Sequence, residues 1–142
     1  MKIRMISRSG VMPSYETSGS AGMDLRAMLD GPVTLGPGER GLIPTGLFME
    51  LPEGYEAQIR ARSGLAVKHG IGLTNGVGTI DSDYRGEIKI ALINWGSEDF
   101  TVNDGDRVAQ MVIAKYERAE PEKVDSLEDT ERSDGGFGHT GI

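Results

Sequence analysis

Residues that could do chemistry are most concentrated in the run GVGTIDSDYRGEIKI, from Gly76 to Ile90. Two carboxylates, Asp81 and Asp83, stand beside the ring of Tyr84 and the guanidinium of Arg85, with glycines on both sides. A tight turn needs only one or two residues of glycine or asparagine type. The run therefore predicts a β-hairpin that carries acid–base chemistry, and the alternative is a surface turn with polar side chains.

A second cluster, RSGLAVKHG at 62–70, is the one place where a short helix is plausible. Ser63 is a possible N-cap and Gly70 a possible stop. The start of a helix presents unpaired N–H groups to an anion, and Arg62 would add the countercharge. The pattern by itself is weak, because Ser-Gly after a strand is common.

Two strand segments contribute polar side chains whose roles the pattern leaves open. In MDLRA at 23–27, Asp24 and Arg26 share the polar face, and the alternative to a functional role is a surface ion pair of about 0–1 kcal/mol. In RVAQMVI at 107–113, Gln110 is the one amide in an apolar setting. It needs a hydrogen-bond partner if it is buried, and the alternative is a glutamine that faces solvent.

The C-terminal run RSDGGFGHTG, at 132–141, sets one Phe among four glycines beside Arg132. Such a segment can fold over an anionic ligand, with N–H groups and Arg132 on phosphate and Phe137 stacked on a ring. A plain flexible tail is the alternative. Together the clusters indicate contacts to phosphate, from cations and glycine-rich backbone, around one acidic hairpin.

The elements that must position these residues are mostly strands. Alternating or turn-bounded segments predict strands at Lys2–Ile6, Met23–Ala27, within 31–41, at Leu42–Leu51, Tyr55–Ala61, Glu87–Ile93 and Arg107–Ile113. Pro44 places the start of the fourth at a sheet edge or a bulge. The 21 glycines imply many turns. We expect an all-β fold with at most one short helix.

Length and charge limit the alternatives. The 142 residues suit one domain, with a core at 1–115 and an acidic tether plus glycine-rich arm at 116–142. A net charge of −7 argues against nucleic acid or an anionic membrane as the main partner. Cysteine is absent, which excludes disulfides and thiolate metal sites. With no signal peptide or membrane span apparent, we expect a soluble cytoplasmic protein.

The five clusters, SAGMDLRA, RSGLA, GVGTIDSDYRGEIKI, GDRVAQMVI and RSDGGFGHTG, closely resemble in order the five motifs of the trimeric deoxyuridine triphosphatases. The resemblance spans essentially the whole chain. It implies a distorted jelly-roll-like β-barrel with a flexible C-terminal arm, in a homotrimer whose three active sites are each built from all subunits. The implied reaction is hydrolysis of dUTP to dUMP and pyrophosphate, which keeps dUTP out of DNA and supplies dUMP for thymidylate synthesis.

The resemblance also implies site residues. Asp81 corresponds to the base that activates the attacking water, a role that needs a positioned carboxylate. Asp81 fits this role better than Asp83, which we expect to be a hairpin or interface residue. Tyr84 corresponds to the ring beneath deoxyribose. The implied substrate-binding residues are Arg62, Ser63, Gly64, Asn75, Thr79, Ile80, Tyr84, Lys89, Gln110, Arg132, Phe137, Gly138, His139 and Thr140.

The implied cofactor is Mg²⁺, held mainly by the triphosphate and waters. No direct protein ligand is expected, with Asp24 acting near the metal through water. Two alternatives share the fold: a dCTP deaminase or bifunctional deaminase-diphosphatase, and a non-catalytic sensor that binds dUTP or a protein partner. The first is usually longer and lacks the Phe-containing tail, and the second is disfavoured by the presence of Asp81, Tyr84 and Arg132.

Overall fold

The structure, a computed structural model, describes residues 1–136. Within that range the chain forms ten strands and one helix. In chain order they are β1 Arg4–Ser7, β2 Gly22–Arg26, β3 Val33–Leu35, β4 Arg40–Glu50, β5 Tyr55–Arg60, α1 Ser63–His69, β6 Ile71–Leu73, β7 Gly78–Ile80, β8 Ile88–Asn94, β9 Phe100–Val102 and β10 Arg107–Lys115. The prediction of an all-β fold with one short helix is confirmed.

Eight of the strands form two four-stranded antiparallel sheets. The first sheet has the order β1-β4-β8-β6 and the second the order β2-β10-β5-β7, while β3 and β9 form a small separate ribbon. Neighbours in both sheets come from distant parts of the chain, as in a double-sheet jelly roll. The jelly-roll-like prediction is confirmed, with sheets that stay open rather than closing into a continuous barrel.

The core lies between the facing sides of the two sheets, which bury one contiguous cluster of aliphatic residues. Alternation along the strands decides which side chains enter it. In β2, Met23 and Leu25 are buried, and in β5, Ala57 and Ile59 are buried. Polar residues between them, such as Asp24, are left on the outer face of the second sheet.

A bulge in β4 follows Pro44, for which the sequence predicts either a sheet edge or a bulge at the start of the strand, whereas β4 begins four residues earlier at Arg40. The pairing of β4 with β8 shifts register between Pro44 and Leu47, so Thr45 and Gly46 stand out of the ladder. Gly46 has φ +66°, a left-handed conformation that favours glycine. We call residues 44–47 the β4 bulge.

The predicted hairpin is wrong. β7 pairs with β5 in the second sheet, whereas β8 pairs with β4 and β6 in the first. Residues 81–87, which we call the β7–β8 loop, therefore cross from one sheet to the other. Alternation shows which residues face a core, but it does not show which strand is the partner.

Most strand boundaries differ by one or two residues from the sequence expectation. β1 begins at Arg4 rather than Lys2. Arg62, with extended backbone, is the N-cap of α1 in place of Ser63, which is the first helical residue. Gly70 ends the helix in the left-handed conformation, as predicted.

Trp95, the only tryptophan of the chain, directly follows β8. Its backbone N–H donates to the carbonyl of Gly70, and its indole lies against Gly72, where a Cβ atom would come within 3.4 Å of the ring. The side chain is nevertheless 71% exposed. The ring therefore lies beside the backbone of Gly72 at the protein surface.

Beyond β10 the described tail, residues 116–136, contains neither helix nor strand and is mostly exposed. Its first residue is tied to the core, because the Tyr116 backbone N–H donates to the carbonyl of Gly54. No helix among residues 1–136 combines the length and the apolar character that crossing a membrane requires.

Candidate active site

Neighbouring strands of the second sheet bring together four side chains on its outer face. Register places Gln110 of β10 opposite Asp24 of β2. Arg62, the N-cap of α1, and Arg107, at the start of β10, reach the same carboxylate. We call Asp24, Arg62, Arg107 and Gln110 the sheet cluster.

The carboxylate of Asp24 is held between two guanidinium groups. Arg62 Nε lies 3.1 Å from one oxygen of Asp24, and Arg107 Nη1 lies 3.2 Å from the other. Arg62 Nη1 also donates to the backbone carbonyl of Arg107 at 3.2 Å. Both side chains of the Arg62–Asp24 pair are largely buried, at 27% and 15% exposed, so two oriented guanidinium groups are fixed beside each other.

Asp24 does not form the surface ion pair with Arg26 that the sequence pattern leaves open. Arg26, its neighbour on the same strand face, donates Nη1 to the carbonyl of Gly105 at 2.8 Å. Arg107 belongs to the quoted GDRVAQMVI motif but was not among the predicted site residues. Its role was missed because it depends on the register between β2 and β10, and a lone Arg at a strand start gives no signal of that register.

Gln110 is half-buried and donates Nε2 to the carbonyl of Ala61 at 2.9 Å. Its carboxamide passes directly over Gly22 of the neighbouring strand, where a Cβ atom would overlap the amide oxygen. The side chain is therefore oriented by a hydrogen bond on one side and by a glycine on the other. This partner excludes the alternative of a glutamine simply facing solvent.

A cavity of about 410 Å³ lies against the sheet cluster. Its lining includes Ser20, Gly22, Asp24, Arg60, Arg62, Ser63, Gly64, Arg107 and Gln110. Ser63 and Gly64 begin α1, where backbone N–H groups lack partners within the helix. Cationic side chains, an amide and free N–H groups on one cavity wall suit a polyanion such as a phosphate chain.

The β7–β8 loop holds the predicted base and the predicted sugar platform. Asp81 is exposed at its start, and the backbone N–H of Tyr84 donates to the carbonyl of Asp81 at 3.2 Å. The Tyr84 ring covers Gly86, and its hydroxyl donates to the Glu87 carbonyl at 3.0 Å. Arg85 Nη1 lies 2.7 Å from the Ser82 carbonyl and so bridges the turn internally.

The residues predicted to read the base lie beside this loop. β7, with Thr79 and Ile80, is an edge strand of the second sheet, so its outer backbone groups are available to a flat ligand. Thr79 is exposed, while Ile80 is half-buried against the core. Asn75 precedes β7, and its amide lies close to Gly78. Lys89 Nζ is 3.7 Å from the Glu87 carboxylate.

The two groups stand at different places on the second sheet, one on β2 and β10 and the other at the edge strand β7. β10 and β7 are separated by β5, which at a strand spacing of about 4.8 Å puts them roughly 10 Å apart. In the part of the chain that the structure describes, the lining of the 410 Å³ cavity contains neither Asp81 nor Tyr84. Within a single chain, the residues predicted to contact phosphate therefore lie in one place, and those predicted to contact the base and the sugar lie in another.

Arg132 lies in the tail, where its Nε donates to the Gly135 carbonyl at 2.8 Å. It thus closes a local turn, with Ser133 at φ +45° inside it. Phe137, Gly138, His139 and Thr140 lie outside the described residues.

The donor set suits a metal held through water. Among residues 1–136 no three His, Cys, Asp or Glu side chains come close enough to form a metal cage. Mg²⁺ usually keeps several waters and is bound by one or two carboxylates together with substrate phosphates. The Asp24 carboxylate, fixed between its arginines at the cavity wall, fits a contact to a metal-bound water.

Comparison with known proteins agrees with these features. The family model described as dUTPase matches residues 8–141. Deoxyuridine 5'-triphosphate nucleotidohydrolase of Finegoldia magna is 57% identical, with 99% of each chain covered, and that of Rickettsia felis is 57% identical, with 100% of this chain and 97% of the relative covered. The solved structure of the Staphylococcus bacteriophage 80alpha dUTPase with dUPNHPP has a TM-score of 0.89 and 24% identity, covers 99% of both chains, and so supports the fold. From the family model and the two relatives, the chain belongs to the dUTPase family.

Proposed function

We propose that this chain is a dUTP diphosphatase, which hydrolyses dUTP to dUMP and pyrophosphate. The observation that carries the proposal is the identity of 57% over essentially the full chain to two proteins named deoxyuridine 5'-triphosphate nucleotidohydrolase. Removal of dUTP from the pool of DNA precursors and supply of dUMP follow from the reaction. We expect it to take place in the cytoplasm.

The triphosphate binds in the cavity beside the sheet cluster. Arg62 contributes charge and N–H donors, and the backbone N–H groups of Ser63 and Gly64 contribute further donors. Gln110, which lines the same cavity, orders the phosphates or the attacking water. This assignment is supported by the fixed orientations of Arg62 on Asp24 and of Gln110 on Ala61. Hydrolysis of a phosphoanhydride depends mostly on such positioning and on electrostatic stabilisation.

Asp81 removes a proton from the attacking water. A positioned general base contributes roughly 10²–10⁴-fold to the rate. The exposure of Asp81 supports the role, because its carboxylate is accessible to a water molecule and to a substrate. Asp83 stays outside the reaction.

The base and sugar are selected by β7 and the loop that follows it. Backbone groups around Thr79 and Ile80, with Asn75, read uracil, and Lys89 contacts the substrate further along the chain. Cytosine reverses donor and acceptor at positions 3 and 4 and would leave groups unpaired, which can discriminate by about 10⁴-fold or more. Tyr84 packs beneath the deoxyribose and leaves no space for a 2′-hydroxyl. The ring is held in place by Gly86 and by its hydrogen bond to Glu87.

Each active site is shared among three copies of the chain in a homotrimer. The lining of the cavity beside the sheet cluster supports this, because it contains neither Asp81 nor Tyr84 of the same chain. A second chain supplies the loop that faces the triphosphate. The arm that begins in the tail after residue 115 comes from a third, with Arg132 on the γ-phosphate and Phe137 on uracil, beside Gly138, His139 and Thr140.

Magnesium is the proposed cofactor. Bound to the triphosphate, Mg²⁺ neutralises charge that develops on the phosphoryl oxygens. Asp24 would hold one of its waters. The sheet cluster orients the substrate around that position, because its arginines fix the Asp24 carboxylate.

The test is pyrophosphate release from dUTP, dCTP, dTTP and UTP by the purified chain with Mg²⁺. We expect turnover of dUTP and at least 10³-fold lower kcat/KM for dCTP, since a site that hydrogen-bonds one base rejects the wrong donor and acceptor pattern on this scale. UTP should also be a poorer substrate, because the Tyr84 ring leaves no space for its 2′-hydroxyl. Deamination of dCTP would identify the deaminase alternative. Tight binding of dUTP without single-turnover hydrolysis would identify the sensor.

A further inference from the structure

The end of the β7–β8 loop is attached to the β4 bulge through two consecutive residues. The Glu87 carboxylate accepts a hydrogen bond from the backbone N–H of Gly46 at 2.9 Å. The next residue, Ile88, accepts one at its carbonyl from the hydroxyl of the buried Thr45 at 2.6 Å. Thr45 and Gly46 are the two residues that the bulge removes from the ladder. The Glu87 carboxylate therefore gives the Gly46 N–H a partner in place of the ladder, and the Thr45 hydroxyl adds a side-chain contact to the next residue.

The bulge is a fixed anchor. The Gly46 carbonyl accepts from the backbone N–H of Arg8 at 2.9 Å, and the Pro44 carbonyl accepts from that of Met28 at 2.8 Å. A Cβ atom on Gly46 would overlap the sulfur of Met28, so neighbouring segments pack closely around it. Whatever binds to the Gly46 N–H is consequently held in a defined position relative to the first sheet.

Glu87 also connects this anchor to the ring of Tyr84. The Tyr84 hydroxyl donates to the backbone carbonyl of Glu87, and the same residue uses its side chain on Gly46. The ring in turn covers Gly86, which directly precedes Glu87. Displacement of Glu87 would therefore remove the support of the ring from two directions.

We propose that Glu87 is a positioning residue, whose side chain, by its length, sets the place of the β7–β8 loop and so of Tyr84 and Asp81. The inference rests on the proposed function for its kinetic consequence, because it assigns Glu87 to the loop that carries the base and the sugar platform. The structural part, attachment of the loop to the β4 bulge, is independent of the substrate.

The two carboxylate oxygens of Glu87 make different contacts, so the effect of side-chain length can be tested separately from the effect of charge. One contacts Gly46, while the other lies 3.7 Å from Lys89 Nζ, a partner that is 45% exposed and hence weakly attracted. Glutamine has the same length as glutamate and keeps an acceptor for the Gly46 N–H, but it loses the charge. Aspartate keeps the charge but is shorter by one methylene. Positioning by reach predicts that Glu87→Gln is tolerated and Glu87→Asp is not, and an ion pair with Lys89 predicts the reverse.

The experiment measures kcat, KM and the ratio of kcat/KM for dUTP to that for UTP in both variants. For Glu87→Asp we expect kcat/KM for dUTP to fall by roughly tenfold to a hundredfold, the scale of a displacement of about 1 Å at a reacting group. The dUTP to UTP ratio should fall as well, because Tyr84 loses its support. Glu87→Gln should stay within about threefold of the unsubstituted chain, since it keeps the hydrogen bond.

The matched control is Glu39, whose carboxylate accepts from the backbone N–H of Gly36 at 2.8 Å in the turn before β4. Glu39→Asp and Glu39→Gln make the same chemical changes at a carboxylate–amide bond away from the loop. Both should leave kcat/KM and the substrate ratio unchanged. A loss at Glu39→Asp equal to that at Glu87→Asp would overturn the proposal, because the effect would then not be specific to the loop.

Amide hydrogen exchange gives a second readout that does not need turnover. Glu87→Asp should speed exchange at Gly46 and in residues 82–88 while leaving the β5–β10 ladder protected, and Glu87→Gln should change neither. If the unsubstituted chain fails to hydrolyse dUTP, the proposed function fails while the exchange pattern still tests the anchor. Unchanged activity and exchange in Glu87→Asp, or equal losses in both variants, would overturn the inference. Should Glu87→Asp fail to fold, faster exchange of the loop in Glu87→Gln would overturn it and unchanged exchange would support it.

Discussion

The sheet cluster and the β7–β8 loop are built in contrasting ways. In the sheet cluster, strands fixed by a hydrogen-bonded ladder carry the side chains, and Asp24 is largely buried between Arg62 and Arg107. In the loop, Asp81 is exposed on a connection between two sheets, and the attachment is made at its ends. A triphosphate presents the same groups in every nucleotide, so a rigid surface suits it, whereas selection of base and sugar depends on residues that contact one ligand. Loops on a rigid scaffold commonly carry this second task.

The largest effect on kcat is expected from a substitution in the β7–β8 loop. Asp81→Asn should lower kcat by roughly 10²–10⁴-fold, the contribution of a positioned base, while KM changes little because Asp81 is assigned to the attacking water and not to substrate binding. Steady-state assays of dUTP hydrolysis measure both. Asp83→Asn is the matched control and should keep kcat within a few-fold. A near-normal kcat in Asp81→Asn would remove that residue from the role of base.

A second test asks whether the two regions suffice without the tail. Deletion of residues 132–142 should lower kcat/KM by about 10²-fold or more, the scale of losing a preorganised donor in an active site. The core should stay folded, because its buried cluster is built entirely from residues before 116. Circular dichroism melting and the dUTP assay measure the two properties.

Leu127→Ala is the control for the tail, since Leu127 is exposed in the tether and precedes the deleted segment. It should have full activity. Full activity in the deletion as well would show that the arm has no part in the reaction, and the sheet cluster and loop alone would then account for it.

Arg62→Lys tests the contribution of the sheet cluster to dUTP hydrolysis. Lysine keeps the charge but loses the Nε contact to Asp24 and the second contact to the Arg107 carbonyl. We expect kcat/KM for dUTP to fall by roughly tenfold to a hundredfold, as charge-assisted hydrogen bonds contribute about 1.5–3 kcal/mol. The dUTP to UTP ratio should not change, because the triphosphate is common to both.

Arg26→Lys is the matched control, at an arginine that contacts the Gly105 carbonyl outside the 410 Å³ cavity. It should behave as the unsubstituted chain. A change of the dUTP to UTP ratio in Arg62→Lys would contradict the division of tasks between the two regions.

The smallest expected effect concerns Gly22, which lies beneath Gln110. In Gly22→Ala the new methyl group would displace the carboxamide and weaken its hydrogen bond to Ala61, at a cost of about 0.5–1.5 kcal/mol in the free energy of unfolding. KM for dUTP should rise by roughly threefold to tenfold for the same reason. Thermal melts and steady-state kinetics give the two values.

Gly19→Ala provides the control, because a Cβ atom on Gly19 meets nothing within 4 Å. It should change neither property. Equal behaviour of Gly22→Ala and Gly19→Ala would show that Gln110 does not depend on the close approach.

Local features of the fold were predictable because they follow from short-range patterns. Alternation at 23–27 and 55–61 identified the buried faces of β2 and β5, and Pro44 indicated a sheet edge or a bulge. Strand partners were not predictable in this way. The structure has a crossing between sheets in place of the expected hairpin, because β7 pairs with β5 and β8 pairs with β4 and β6, and neighbouring residues do not encode these distant partners.

The candidate site shows the same division. Asp24, Arg62 and Gln110 were identified as site residues from the resemblance to a family, and the structure brings them to one cavity. Arg107 and Gly22 help to orient these side chains. The contacts of both residues depend on the register of β2 against β10. Glu87 was likewise hidden, since its partner Gly46 is 41 residues away along the chain. The roles in substrate binding, metal binding and catalysis that are assigned to these residues, to Asp81, to the base-reading residues and to the tail all stay predictions.

The exposed indole on Gly72 has a practical consequence. Because Trp95 is the only tryptophan, the intrinsic fluorescence excited at its red edge comes from one known position on the protein surface. A shift of that emission on dilution or on mixing with nucleotide would report whether this particular surface changes its hydration, without a dye or an engineered label.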